Sequence, residues 1–151
     1  MGLDKETKEF QKDIMAKYGI HSLKEANEIC DAKGIDVAKI VKGVKKGASK
    51  DCINAFTLGV AIAIKKDTKL ASYVAIDIGE GIQTYLGNAI GQPTEGIDLG
   101  FEICNHLKDK ENDDSTLIKD YKKCIPFLEL TNEEIYNITS EICIQVEALM
   151  K

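Results

Sequence analysis

The chain has 151 residues, 44% of them hydrophobic and 30% charged, with a net charge of −5; this length suits one domain, 1–151, able to bury roughly 68–70% of its unfolded surface. The longest apolar run, Gly59 to Ile64, is far shorter than the roughly 20 residues that span a bilayer, which excludes a membrane-spanning segment. Arginine is absent, the chain is acidic and no aromatic residue interleaves with the lysines, which argues against nucleic acid as a partner.

The first helix is expected to carry Phe10, Ile14 and Tyr18 at four-residue spacing, with Met15 beside them, and to stop near Gly19. Ser22-Leu23-Lys24-Glu25 is a capping box, in which the serine oxygen accepts the N3 amide and the glutamate reaches back to the cap amide. The helix it starts has Leu23, Ala26, Ile29 and Cys30 on its apolar face, and Gly34 ends it. Asp36 caps a third helix whose buried stripe is Val37, Ile40, Val41 and Val44. Lys39, Lys42, Lys45 and Lys46 lie around the rest of it, and Gly43 and Gly47 weaken or end it.

Ser49 is placed to cap the next helix, which runs through Ala55, Phe56 and Gly59 to Ile64 and is apolar nearly all round, so it belongs at the centre. A strand over Val60–Ile64 is the rival reading of that short apolar run. Gly59 and the alanines remove bulk and permit close helix crossing. Thr68 begins a further helical pattern, with Leu70, Val74, Ile78, Ile82 and Tyr85 on one face and Asp77, Glu80 and Thr84 on another.

Three glycines and Pro93 between Gly87 and Gly96 mark a loop, either a lid or a connector. Ile97 to Leu107 resumes an apolar pattern and fades into the charged turn 108–114. Ser115 then caps a short helix ending near Pro126. Phe127, Leu128 and Leu130 form a staple before a second capping box, Thr131-Asn132-Glu133-Glu134. That box opens a last helix with Ile135, Ile138, Ile142, Val146 and Leu149 on its stripe. The expected fold is all-α, a compact single-domain bundle of about seven or eight short helices.

Five cysteines, odd in number and widely spaced, point to reduced thiols rather than a secreted disulfide framework. Cys30, Cys52 and Cys104 sit on apolar stripes or helix starts, where cysteine behaves as a small hydrophobe. Cys104 and His106 stand two residues apart and cannot chelate together on a helix, so no metal site is assigned. The N-terminal residues show no apolar signal region, and Glu6 breaks the myristoylation pattern, so a cytoplasmic protein is expected. Asn137-Ile138-Thr139 matches a glycosylation acceptor but reads as a polar stretch of helix.

Charge is unevenly spread. Lys33 to Lys69 holds nine lysines against Asp36, Asp51 and Asp67, a surplus of six, and the remainder carries −11. Such asymmetry suits an anion or an acidic partner surface, although lysine-rich solvated helices produce it too.

From Tyr18 to Gln83 the chain resembles the N-terminal part of the GGGtGRT family. The resemblance rests on Tyr18-Gly19-Ile20, Ser22 with Glu25-Ala26, Ile29-Cys30-Asp31 and Lys33-Gly34-Ile35-Asp36-Val37. It continues through Lys39-Ile40-Val41-Lys42-Gly43, Gly59 with Ala61-Ile62-Ala63-Ile64-Lys65-Lys66, and Ile78-Gly79-Glu80-Gly81-Ile82-Gln83. The resemblance implies a helical module from an anaerobe, with a reducing interior that suits thiols. It also implies that the glycine-rich motif naming the family lies in a portion this chain lacks, so a site built on that motif requires a second polypeptide. It brings no activity and no cofactor with it.

Two groups of residues carry candidate chemistry. Glu80 between two glycines, with Asp77 one turn before and Gln83 one turn after, offers paired oxygens for a cation or for acid–base work; the alternative is a solvated helix face. Lys42, Ser49 and Lys50 flank a helix start whose amides suit phosphate or carboxylate, although Gly43 to Lys50 is not a Walker motif and reads equally as capping vocabulary. The first functional expectation is a non-catalytic module that self-associates or docks on a partner subunit. The second is an enzyme or ligand-binding subunit in which Asp77, Glu80 and Gln83 face a cavity, the lysines attract an anion, and another subunit completes the site.

Overall fold

The computed structural model describes residues 5–86 and 130–150. Among these residues the fold is all-helical: α1 Lys5–Lys17, α2 Leu23–Ala32, α3 Val37–Val44, α4 Lys50–Lys65, α5 Ala71–Leu86 and α6 Asn132–Met150. That is six helices against the expected seven or eight. The segments expected to supply further ones, 97–107 and 115–125, lie outside the described residues, as do the loop 87–96 and the charged turn 108–114.

The helix starts follow their caps. Ser22 accepts from the Glu25 amide at 3.0 Å, Asp36 from Lys39 at 3.0 Å and Ser49 from Cys52 at 3.2 Å. Thr131 and Glu134 exchange both bonds of a capping box at the start of α6. The Ser22 box differs from expectation. Glu25 reaches past the cap to the His21 amide at 3.0 Å, because the His21 ring places Nδ1 2.7 Å from the same carboxylate oxygen and holds it there.

Three helices end in one device, a Schellman turn. Ile20, Ile35 and Thr68 donate their amides back to Met15, Cys30 and Ala63, six residues apart inclusive, around a left-handed residue. In α1 and α2 that residue is Gly19 (φ 70°) and Gly34 (φ 74°); in α4 it is Asp67 (φ 55°). Ile20 and Ile35, the residues after each glycine, are buried, so each turn also adds an apolar side chain to the core. Thr68 therefore finishes α4 rather than starting α5, which begins at Ala71.

The middle segment is a helix and not a strand. Eleven of the sixteen residues of α4 are buried, which makes it the axis of the fold. Helices α2, α3, α5 and α6 pack on it, α1 packs on α5, and α6 also meets α3 and α5. Phe56, Leu58 and Ile62 are fully buried, each contributing about 1.5–3 kcal/mol by burial. The antiparallel α4–α5 pair crosses at glycine. A Cβ built on Gly59 would stand 2.6 Å from the Ile78 Cα, and one built on Gly81 would fall into the Gly59 backbone. Leu70 departs from its expected place on the α5 stripe and is 60% exposed, because it precedes the helix. No described helix is long and apolar enough to cross a membrane.

Candidate functional site

Asp77 lies on α5 against the end of α4 and is 1% exposed. Lys66 and Thr68, on either side of the left-handed Asp67, both turn towards it. Lys66 Nζ stands 2.7 Å from Oδ1, and Thr68 donates to Oδ2 at 2.6 Å. One turn further along α5, Glu80 accepts from the Tyr18 hydroxyl at 3.1 Å and stands 3.8 Å from Lys66. The Lys66 ammonium also lies over the Tyr18 ring, 5.5 Å from its centroid. Five side chains thus join the end of α1, the α4–α5 turn and the middle of α5.

The electrostatics hold protons in place. Burial raises the Tyr18 hydroxyl above its ordinary value and the Glu80 charge adds to this, with Lys66 opposing. Burial disfavours the charge on Lys66, yet the hydrogen bond to Asp77 and the charges of Asp77 and Glu80 outweigh it, so its pKa is raised too. Near neutral pH Tyr18 is therefore a hydrogen-bond donor and Lys66 a fixed cation, which leaves neither as a base or nucleophile. Both Asp77 oxygens are occupied. Glu80 keeps 14% side-chain exposure, and both of its contacts fall on Oε2.

A second cluster closes the other end of the α4–α5 pair. Tyr85 donates to Asp51 at 2.8 Å and accepts from Asn54 at 3.4 Å. Burial raises its pKa, the Asn54 bond opposes this, and Asp51 adds to it.

Lys42, Ser49 and Lys50 do not join the Asp77 and Glu80 cluster. Gln83 is on α5, but its side chain lies outside the described residues. Lys42 is exposed on the last turn of α3, and the Ser49 hydroxyl is engaged as a cap. Lys50 begins α4 and Lys66 follows its end, about 24 Å away along the axis at 1.5 Å per residue, so the two lysines serve different ends of the molecule. Cys30, Cys52 and Cys143 are buried, and burial pushes the Cys30 thiol up to about 12. Cys104, Cys124 and His106 lie outside the described residues. Among the described residues no group of three His, Cys, Asp or Glu side chains is placed to hold a metal ion.

A groove of about 650 Å³ runs between α3 and α6, away from the Asp77 cluster. Lys39, Ile40 and Val44 form one wall, and Asn137, Glu141 and Gln145 the other.

Comparison with known proteins adds one finding. The family model described as GGGtGRT protein matches residues 2–135. The chain belongs to the GGGtGRT family. The match extends the Tyr18–Gln83 resemblance in both directions, taking in α1 and the start of α6. The comparisons with curated proteins and with solved structures found no match.

Within this GGGtGRT protein, three site features were absent from the sequence reading: Lys66 and Thr68 as partners of Asp77, Tyr18 as partner of Glu80, and the α3–α6 groove. Tyr18 and Glu80 are 62 residues apart in the chain, and no local spacing signals such a pair. The groove had a partial signal. Asn137, Glu141 and Gln145 recur at four-residue spacing beside the Ile138–Ile142–Val146 stripe, which marks one polar helix face but not what it confronts.

Proposed function

We propose that this GGGtGRT protein is a non-catalytic docking module that associates with a second copy of itself through the junction of α5 with α6. The observation that carries this reading is a set of exposed apolar side chains at that junction: Leu70 at 60%, Tyr73 at 56% and Ile144 at 60%. Leu70 adjoins Ala71, whose carbonyl accepts from the Cys143 thiol, and Ile144 follows Cys143, which puts Leu70 and Ile144 next to residues of one helix contact, with Tyr73 on the same first turn of α5. Apolar side chains this exposed mark interaction surfaces when they gather, and a two-fold pairing buries the same patch on both copies. The lysine surplus of Lys33–Lys69 and the acidic remainder supply opposite charges to two copies of one chain. The Asp77 carboxylate supports this reading too, since both of its oxygens are engaged in securing the α4–α5 turn. The protein acts in the cytoplasm, where its thiols stay reduced, with neither nucleic acid nor membrane as partner. Light scattering across a concentration series tests the reading: a rise in mass with concentration supports it, and a monomer throughout overturns it.

A second reading has one observation of its own. Glu80 retains exposure and an oxygen, Oε1, that neither Tyr18 nor Lys66 meets, which suits a ligand-binding or enzyme subunit completed by another subunit. Thermal shifts with phosphate and with divalent cations distinguish the two: stabilisation that disappears in Glu80→Gln favours the second.

A further inference from the structure

The α3–α6 groove is built from two helix faces. Asp36, Lys39, Ile40, Gly43 and Val44 recur at steps of three, one, three and one on α3, and Asn137, Ser140, Glu141 and Gln145 share a face of α6. Each face covers eight residue steps, about 12 Å at 1.5 Å per residue, which matches three to four extended peptide residues at about 3.3 Å each. The volume of about 650 Å³ lies within the roughly 300–1,000 Å³ of small-ligand sites. Ile40 and Val44 are half-buried and give the groove an apolar floor. At Gly43 the wall is low, since a Cβ there would meet no atom within 4 Å.

The polar groups are arranged for a ligand of both charges. Lys39 has no ion-pair partner among the described residues, so its ammonium is open to an anionic group. Glu141 accepts from Gln145 Nε2 at 2.9 Å through Oε1, which leaves Oε2 open to a cation. Asp36 Oδ1 receives the Lys39 amide and serves as the α3 cap. Asn137 and Ser140 add neutral donors and acceptors of the kind a peptide backbone uses. Among the described lining residues there is one cation against two carboxylates, which disfavours a simple anion, and there is no aromatic ring to stack on a sugar or a base.

We infer that the α3–α6 groove binds a short zwitterionic peptide, with its carboxylate on Lys39, its ammonium on Glu141 and an apolar side chain over Ile40 and Val44. Ile144 shares the groove-lining face of α6, so the titration is read at protein concentrations where light scattering shows a monomer.

The test is titration of the full chain with the tripeptide alanyl-leucyl-alanine, followed by amide chemical shifts. Expected are shifts confined to α3 and α6, and weaker binding when the peptide is N-acetylated or C-amidated. Gly43→Leu projects into the groove from the last turn of α3, where a Cβ meets no atom within 4 Å, so it keeps the melting temperature while weakening binding by on the order of tenfold or more. Lys39→Met removes the preference for the carboxylate over the amide form. The inference is overturned if millimolar tripeptide moves no groove resonance, if Gly43→Leu binds as tightly as the parent, if all terminal forms bind alike, or if inorganic phosphate binds in preference to the peptide.

Discussion

Gly59 and Gly81 meet backbone to backbone where α4 crosses α5, and neither has room for a methyl group. The neighbours of both are main-chain atoms, which cannot rotate away as a side chain does. Gly59→Ala and Gly81→Ala each force the two helices apart and are expected to cost about 2–3 kcal/mol, at the upper end of overpacking effects and despite alanine's better helix propensity. Urea denaturation measures this. A gain in stability in either variant would show that the crossing is looser than described.

The Asp77–Lys66 pair is asymmetric, and so is the cost of breaking it. Lys66→Met leaves a carboxylate at 1% exposure with only Thr68 as partner, expected to cost about 3–4 kcal/mol. Asp77→Asn leaves a lysine that is about one-third exposed, which turns to water or to Glu80 for a cost of about 1–2 kcal/mol. Equal losses, or the reverse order, in paired denaturation curves would contradict this account of the cluster.

Two left-handed turn positions predict opposite signs. Asp67→Gly relieves a side chain from φ 55° and is expected to stabilise by about 0.5 kcal/mol. Gly34→Ala has open space around its Cβ, so its expected loss of about 1 kcal/mol comes from φ 74° alone. Melting temperatures moving in the same direction would refute the backbone argument.

Much of this architecture was readable because caps act within a few residues. Ser22, Asp36, Ser49 and Thr131 each satisfy an amide three positions on, and the four starts fell where those residues stand. Gly59 was readable as a crossing point because a glycine within an apolar helix has few other uses. Thr68 was misread as a helix start, because its pattern continues into α5 and a left-handed Asp67 carries a weaker signal than glycine. Asp77 was readable as a notable acid, but its partners come from across a turn. The groove needs two helices whose separation in the chain exceeds any local pattern.

Alkaline pH is expected to destabilise the protein progressively. The Cys30 thiol is pushed from 9.0 to about 12 by burial, with the Asp31 charge adding to it. The unfolded thiol ionises first, so stability is intact below about pH 9 and falls as pH rises towards 12, by at most about 1.4 kcal/mol per unit from this group. Tyr18, Lys66 and Tyr85 are also raised and steepen the loss above their ordinary values. Melting temperature against pH under reducing conditions should show the decline beginning near 9, and Cys30→Ala should delay its onset. An unchanged onset in that variant would place the sensitivity elsewhere.

Sedimentation equilibrium of the parent chain beside a Leu70→Lys, Ile144→Lys double variant tests the docking proposal most directly. Both substitutions are at exposed positions, so the variant should keep its helix content and melting temperature. The parent is expected to form a reversible dimer, weakened by raised salt, and the variant to stay monomeric at the same concentrations. A parent that stays monomeric up to millimolar concentration, or a variant that dimerises as well as the parent, would contradict the docking proposal.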